Sequence, residues 1–145
     1  MRAISLWQPW ATAIALGVKR VETRHWSTRY RGPLLIHAAR RFDAEQREFA
    51  SVERTLGRLP SRLPLGALVA VAILADVRPT DELHSEVSAI ERLYGNYGPG
   101  RFGWLLRDIR PLPEPIPYKG HQSFFDVPDS VLPEGFVTHE TVLPL

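Results

Sequence analysis

The chain has 145 residues, 18 Lys+Arg against 16 Asp+Glu, 13 prolines and no cysteine. That length suits one domain, residues 1–145, with a sizeable core, and 44% hydrophobic with 23% charged residues excludes a disordered or fibrous chain. Zero cysteine excludes disulfides, thiolate nucleophiles, iron–sulfur clusters and sulfur-bound zinc.

In chain order, the alternation in Arg2–Trp7 predicts a short strand. Pro9 near a first helical turn, apolar Trp10–Leu16 and Gly17 behind it predict a short buried helix. Val18–Arg24 reads as a turn running into a strand, and Arg31-Gly32-Pro33 punctuates before a buried strand, Leu34–Ala38. Asp43 with Gln46 three residues on matches a capping box, so a surface helix is expected from Asp43 to about Leu59. Its inner stripe is read as Phe49, Val52 and Leu56.

Ala67–Val77 is the most apolar strand, and the run Gly66–Ala75 is half the roughly 20 residues a membrane helix needs. Thr80 is expected to cap a further helix with Leu83, Val87, Ile90 and Tyr94 turned inward. Gly95–Gly100 reads as a mobile loop. Phe102, Trp104 and Leu106 alternate along a strand, and Pro111, Pro113, Pro115 and Pro117 keep its continuation extended and edge-like. Lys119–Phe125 is expected to form the last strand. Several short strands with two to three helices predict the α+β class, a small, partly closed mixed β-barrel with helical decoration. Only Gln8, Pro9 and a few apolar residues precede the small residues around Ala11–Ala15, so no signal peptide is expected and a cytoplasmic location is.

The net charge of +2 is unevenly spread. Lys19–Arg41 holds seven bases (Lys19, Arg20, Arg24, Arg29, Arg31, Arg40, Arg41) and one acid, Glu22, for a net +6; the remainder holds 11 bases against 15 acids, net −4. With Trp26 and Tyr30 between the arginines, this is the pattern of a surface that grips phosphates and stacks bases. An Arg-rich solvated face with no partner is the plainer alternative.

Within that segment, Gly17-Val-Lys19-Arg-Val-Glu22-Thr-Arg24 is the informative stretch. Period-two alternation puts Glu22 and Arg24 on one face, with Arg20 beside them and Lys19 over the same opening from the turn. A carboxylate flanked by cations is held ionised, and a lysine crowded by arginines is pushed toward its nucleophilic, neutral form. A local ion-pair network is the competing interpretation. Lys19 and Lys119 are the chain's two lysines, beside sixteen arginines. Such a bias suits lysine being kept where a group must lose its proton, which arginine does not do.

Ser5-Leu-Trp-Gln-Pro-Trp10, the Gly17-x-Lys19-x-x-Glu22-x-Arg24 run and Tyr30-Arg-Gly-Pro-Leu-Leu-Ile-His-Ala38 together resemble the ASCH family. Phe102-Gly-Trp-Leu-Leu106 and Tyr118-Lys-Gly-His-Gln-Ser-Phe124 add to the resemblance, which spans nearly the whole chain. It implies a barrel related to the PUA RNA-binding fold, the motif lining a cleft, and RNA or a pyrimidine nucleoside as partner. Some members are similar to metal-independent amidohydrolases acting on N4-acetylcytidine, others to ribonucleases or RNA-binding modules. The resemblance implies that Lys19 is catalytic and that Gly17 and Arg24 match the motif directly. Where hydrolytic members carry a threonine, this chain has Glu22, with Thr23 on the opposite face, a departure that argues against a covalent threonine mechanism. Asp76 is the nearest match to the carboxylate that completes the hydrolytic site.

The expected mechanism is attack by water, with neutral Lys19 or ionised Glu22 taking the proton and Arg24 or a backbone amide stabilising the oxyanion. Trp7 and Trp26 are expected to sandwich the base, Tyr97 to close over it, and Gln8, Gly17, His121 and Gln122 to contact the ligand. Arg20, Arg29, Tyr30, Arg31, Arg40 and Arg41 make up the expected nucleic-acid surface. His25, His37, His84, His121 and His139 lack the spacing that presents two imidazoles together, so no metal and no cofactor is expected, and His37 reads as a hydrogen-bonded core residue. Ser5, Ser123 and Ser130 lack a nucleophile-elbow context. Trp10, Phe49, Phe102 and Trp104 are assigned to the core. A noncatalytic RNA-binding module is the alternative function, and an adaptor presenting Pro111–Pro117 as an extended ligand is the third.

Overall fold

The computed structural model describes residues 1–137; His139 lies outside the described residues. The elements run β1 (Arg2–Leu6), α1 (Trp10–Ala15), β2 (Val21–Arg24), β3 (Gly32–Ala38), α2 (Ala44–Thr55), β4 (Ala67–Pro79), α3 (Thr80–Leu83), α4 (Ala89–Leu93), β5 (Phe102–Pro117) and β6 (Phe124–Asp126). The strands form one mixed sheet in the order β2-β5-β4-β3-β1-β6. β1 and β3 are parallel, with Ser5 opposite His37, while the other pairs are antiparallel. α1 and β2 lie on the crossover that a parallel pair requires.

Three register shifts between β4 and β5, at Leu68/Ala70, Val71/Ile73 and Leu74/Asp76, bend the sheet into a half-barrel. Its two ends approach through aromatic rings. Phe124, on the β6 edge, lies 5.4 Å from Trp26 and 5.6 Å from Trp104, and Trp26 meets Trp104 edge-on at 4.8 Å. Arg2 caps this cluster, its guanidinium 4.5 Å from the Tyr30 ring and 5.0 Å from Phe124.

Both sheet faces are buried. Ile4, Leu34, Ile36, Leu74 and Trp104 pack under α1 on one side, and Ala3, Leu35, Leu68, Val71 and Leu112 pack on the other. This explains the nearly uninterrupted apolar runs of β3 and β4, since strands covered twice lose their alternation. Trp10 and Phe49 join a third cluster around Tyr94, and Phe102 packs against the first.

α1 ends where Gly17 takes a φ of +78°, and α2 starts at the Asp43–Gln46 capping box. The inner stripe of α2 differs from expectation. Gln46, Ala50 and Glu53 are buried, whereas Val52 and Leu56 are 52% and 57% exposed. Two inward positions are polar: Gln46 completes the cap, and Glu53 accepts hydrogen bonds at 2.6 Å from both Tyr94 Oη and Arg58 Nε. Of the expected stripe, Phe49 does pack inward, against Trp10 and Tyr94, while Val52 and Leu56 face outward because polar Gln46 and Glu53 hold the inner positions.

The segment from Thr80 to Tyr94 forms two short helices, broken before Ser88, whose hydroxyl accepts the Glu91 N–H at the start of α4. Among the described residues there are thus four α-helices, against an expectation of two to three. The last strand is also shorter than predicted: Lys119–Ser123 is a loop, and pairing begins at Phe124. Pro111–Pro117 lies within β5, paired to β4 from Ala70↔Pro111 to Ala67↔Pro117, so this segment is a sheet strand and not a free extended ligand. Among the described residues, no helix is long and apolar enough to cross a membrane.

Candidate active and nucleic-acid-binding site

The turn after α1 feeds Lys19 inward, as the N–H groups of Val18 and Lys19 both donate to Ala13 O. Lys19 is 1% exposed. Its Nζ donates to Val21 O at 2.6 Å and Tyr94 O at 2.7 Å, and Glu22 Oε1 stands 3.7 Å away. Glu22 Oε2 lies 3.6 Å from Arg24 Nε, so the three motif side chains form one chain of alternating charge. Glu91, from α4, accepts the Arg20 and Val21 N–H groups and fixes the start of β2.

The Lys19 pKa is lowered from 10.5, and burial is the leading cause; Glu22 and Glu91 oppose it, and Arg24 adds the smallest push downward. Desolvation thus takes the role that arginine crowding was expected to play. The two carbonyl acceptors fix the amine in place beside Glu22. Lys19, Glu22 and Arg24 line a hollow of about 520 Å³.

Ser5, Trp7 and Arg24 are shared between this hollow and a larger cleft of about 890 Å³. The cleft brings together Arg24, Arg40, Arg41 and Lys119, and no carboxylate is among its lining residues. Trp7 and Trp26 both line it. Trp7 is 43% exposed with the Arg41 guanidinium 5.1 Å from its ring, whereas Trp26 shows the cleft one side and spends the rest on Trp104 and Phe124. His121 and Gln122 line the cleft from the loop before β6.

Other expected site residues lie elsewhere. Asp76 is exposed on β4 and meets Arg31 at 3.4 Å, outside the Lys19 hollow. The register shift between Leu74 and Asp76 breaks the inward–outward alternation and turns it away. Gln8 is fully buried, with its amide spent on Thr12 and Pro64 O, so it ties down the start of α1 instead of facing ligand. Gly17 and Arg20 line a separate hollow beside Leu106–Ile109.

Tyr97 folds back against Gly95 with its hydroxyl buried and unpartnered, and burial raises its pKa. The Gly95–Gly100 loop, read as mobile, is tied down: Thr23 Oγ1 accepts Asn96 N–H, Thr80 Oγ1 donates to Gly98 O, and Arg101 donates to Asn96 O and Thr23 O. The basic segment also divides. Arg40 and Arg41 enter the cleft; Arg29 is exposed outside it, Arg31 pairs with Asp76, and Tyr30 donates to Pro33 O.

Three cleft residues were missed or set aside. Lys119 is marked in the sequence by its rarity and by the Tyr118–Phe124 stretch, neither of which assigns it to the cleft. Ser5 and His37 were assigned no chemistry, yet Ser5 Oγ lies 2.9 Å from His37 Nδ1, and His37 Nε2 lies 2.7 Å from Tyr118 O. No local pattern reveals this contact, because it follows from the pairing of β1 with β3. Among the described residues, no group of three metal-ligating side chains occurs.

A sequence model of the ASCH domain family matches residues 4–113. Activating signal cointegrator 1 from Mus musculus and from Homo sapiens is in each case 26% identical over 139 residues, covering 91% of this chain. The chain spans 23% of the length of those relatives. Crystal structures of the ASCH protein from Zymomonas mobilis and of a single-residue variant superpose with a TM-score of 0.57 at 21% identity, covering 90% of this chain and 89% and 91% of theirs. That likeness establishes the fold.

Proposed function

The chain belongs to the ASCH domain family, and from that premise we propose that its cationic cleft binds RNA or a pyrimidine nucleoside. In this reading the adjoining Lys19–Glu22–Arg24 hollow hydrolyses a modified base of the N4-acetylcytidine type, or RNA itself. The observation that carries the reading is the cleft's lining: four cations, two tryptophans and no carboxylate around about 890 Å³. Two of these cations meet carboxylates that stand outside the lining, Arg24 with Glu22 at 3.6 Å and Arg41 with Asp43 at 2.6 Å; the excess positive charge that Arg40 and Lys119 add favours a polyanion, and an indole face accepts any base. Trp7 is the stacking platform, and Arg40, Arg41 and Lys119 are the phosphate contacts.

At the Lys19 end, the chemistry asked of the protein is a proton transfer and the stabilisation of an oxyanion. Neutral Lys19 accepts the proton of an attacking water, directly or through Glu22, and the Arg24 guanidinium offsets the charge that develops on the carbonyl oxygen. The amide then breaks to acetate and the free exocyclic amine.

Two measurements test this. Binding of a single-stranded RNA oligonucleotide is followed as salt rises; affinity is expected to fall with a slope of roughly 0.7 per neutralised phosphate. Incubation with N4-acetylcytidine and with total RNA, read by mass spectrometry, is expected to give deacetylated nucleoside or RNA fragments. RNA binding without product assigns the chain to the noncatalytic RNA-binding module. The absence of both RNA binding at low salt and turnover of N4-acetylcytidine overturns the cleft assignment.

A further inference from the structure

We infer that Ser5 and His37 form a nucleophile–base pair at the wall of the cationic cleft, which transfers the acyl group of an ester or amide carried by a nucleoside to water. The identity of the acyl carrier rests on the cleft being a nucleoside site; the reactive serine does not.

Geometry sets the protonation pattern. Tyr118 O can only accept, so His37 Nε2 carries the hydrogen of their 2.7 Å bond. Nδ1 is then the bare nitrogen, and the Ser5 hydroxyl donates to it across 2.9 Å. A hydroxyl on a base whose far nitrogen is held by a third group is the arrangement that activates a serine. Burial lowers the His37 pKa, which keeps the ring in its basic form near neutral pH.

Gly120 makes the pair possible. A Cβ there would stand 2.5 Å from His37 Cε1, 2.7 Å from Nδ1 and 3.2 Å from Ser5 Oγ. Arg24, which donates to Ser5 O at 2.9 Å, brings a guanidinium to the same wall. Ser5 lines both hollows, so an acyl group held from either one reaches it.

The step balances without a co-reactant. Ser5 Oγ bonds to the acyl carbon as its proton passes to His37 Nδ1, and the oxyanion forms beside Arg24. Collapse expels the amine or hydroxyl, which takes that proton and leaves acyl-Ser5. Water then attacks with His37 as base, releasing a carboxylic acid and regenerating the hydroxyl.

The test is labelling by a fluorophosphonate, which modifies an activated serine whatever the native substrate, with the site read by peptide mass spectrometry. A single adduct on Ser5 is expected, absent in Ser5→Ala and slowed about 100-fold or more in His37→Gln. Gly120→Ala, which keeps both reacting groups but drives a Cβ against the His37 ring, is expected to slow it comparably. RNA binding by the unaltered chain is measured in parallel, so a failure of the cleft assignment shows separately as absent RNA binding alongside a labelled Ser5. No adduct on Ser5 of the unaltered chain overturns the inference, as does labelling at the same rate in folded His37→Gln.

Discussion

The two hollows share a wall at Ser5, Trp7 and Arg24, but they handle charge in opposite ways. Around Lys19, every charge has a partner within the protein: carbonyls for the amine, Glu22 between two cations, and backbone N–H groups for Glu91. In the cleft, Arg24, Arg40, Arg41 and Lys119 gather around open space, and the acids that meet Arg24 and Arg41, Glu22 and Asp43, stand outside its lining. Buried paired charges are fixed in place and tuned by desolvation, which suits proton transfer. A net excess of cations around open space raises the local concentration of anions, which suits capture. The difference separates chemistry from recognition on one small surface.

That contrast is open to test, from the largest effect to the smallest. Replacing Lys19 by arginine, which stays protonated, is expected to lower N4-acetylcytidine turnover by at least about 100-fold while RNA affinity stays within about twofold. Equal loss of both would merge the two hollows into a single binding site. Lys19→Met strands the Val21 and Tyr94 carbonyls, and urea denaturation is expected to show a loss of about 2–3 kcal/mol. Lys119→Met is expected to cost less than about 0.5 kcal/mol, as a surface change does. A comparable cost at both positions would remove the distinction between paired and unpaired cations.

Next in size, the triple variant Arg40→Ala, Arg41→Ala, Lys119→Ala is expected to flatten the RNA salt slope by about 2, if each side chain meets one phosphate. An unchanged slope would put the RNA contacts elsewhere. The smallest effect concerns pH. Burial holds the folded His37 pKa below its ordinary 6.5. As pH falls below 6.5, the unfolded chain takes up a proton that the folded one does not. This stability contribution is therefore complete above that pH and declines beneath it. The urea midpoint is expected to be lower at about pH 5.5 than at about pH 7.5, with a smaller gap in His37→Gln; an equal gap in the variant would dismiss the histidine as its source.

Much of the fold is visible in short-range signals. Gly17 ends α1, the Asp43–Gln46 box begins α2, and the doubly covered strands β3 and β4 show as apolar runs. Errors arose where polar residues face inward or where a bulge intervenes. Gln46 and Glu53 hold the inner side of α2, so apolar periodicity pointed to Val52 and Leu56. A register shift carried Asp76 out of the site that its position along β4 suggested. Trp7 and Lys19 were singled out because rarity and motif spacing survive without three-dimensional knowledge; Gln8 was singled out too, and its amide is consumed within the fold.

By itself the amino-acid order determined the family, most of the succession of strands and helices, and the charge-alternating Lys19–Glu22–Arg24 triplet leading into β2, because caps, turns and period-two spacing act over a few residues. Only the tertiary structure decided which cations share a cavity, that Lys19 is desolvated, and that Ser5 meets His37 across a parallel strand pair. Those facts depend on sheet register, bulges and the closing aromatic cluster, which bring together residues that local spacing leaves unrelated.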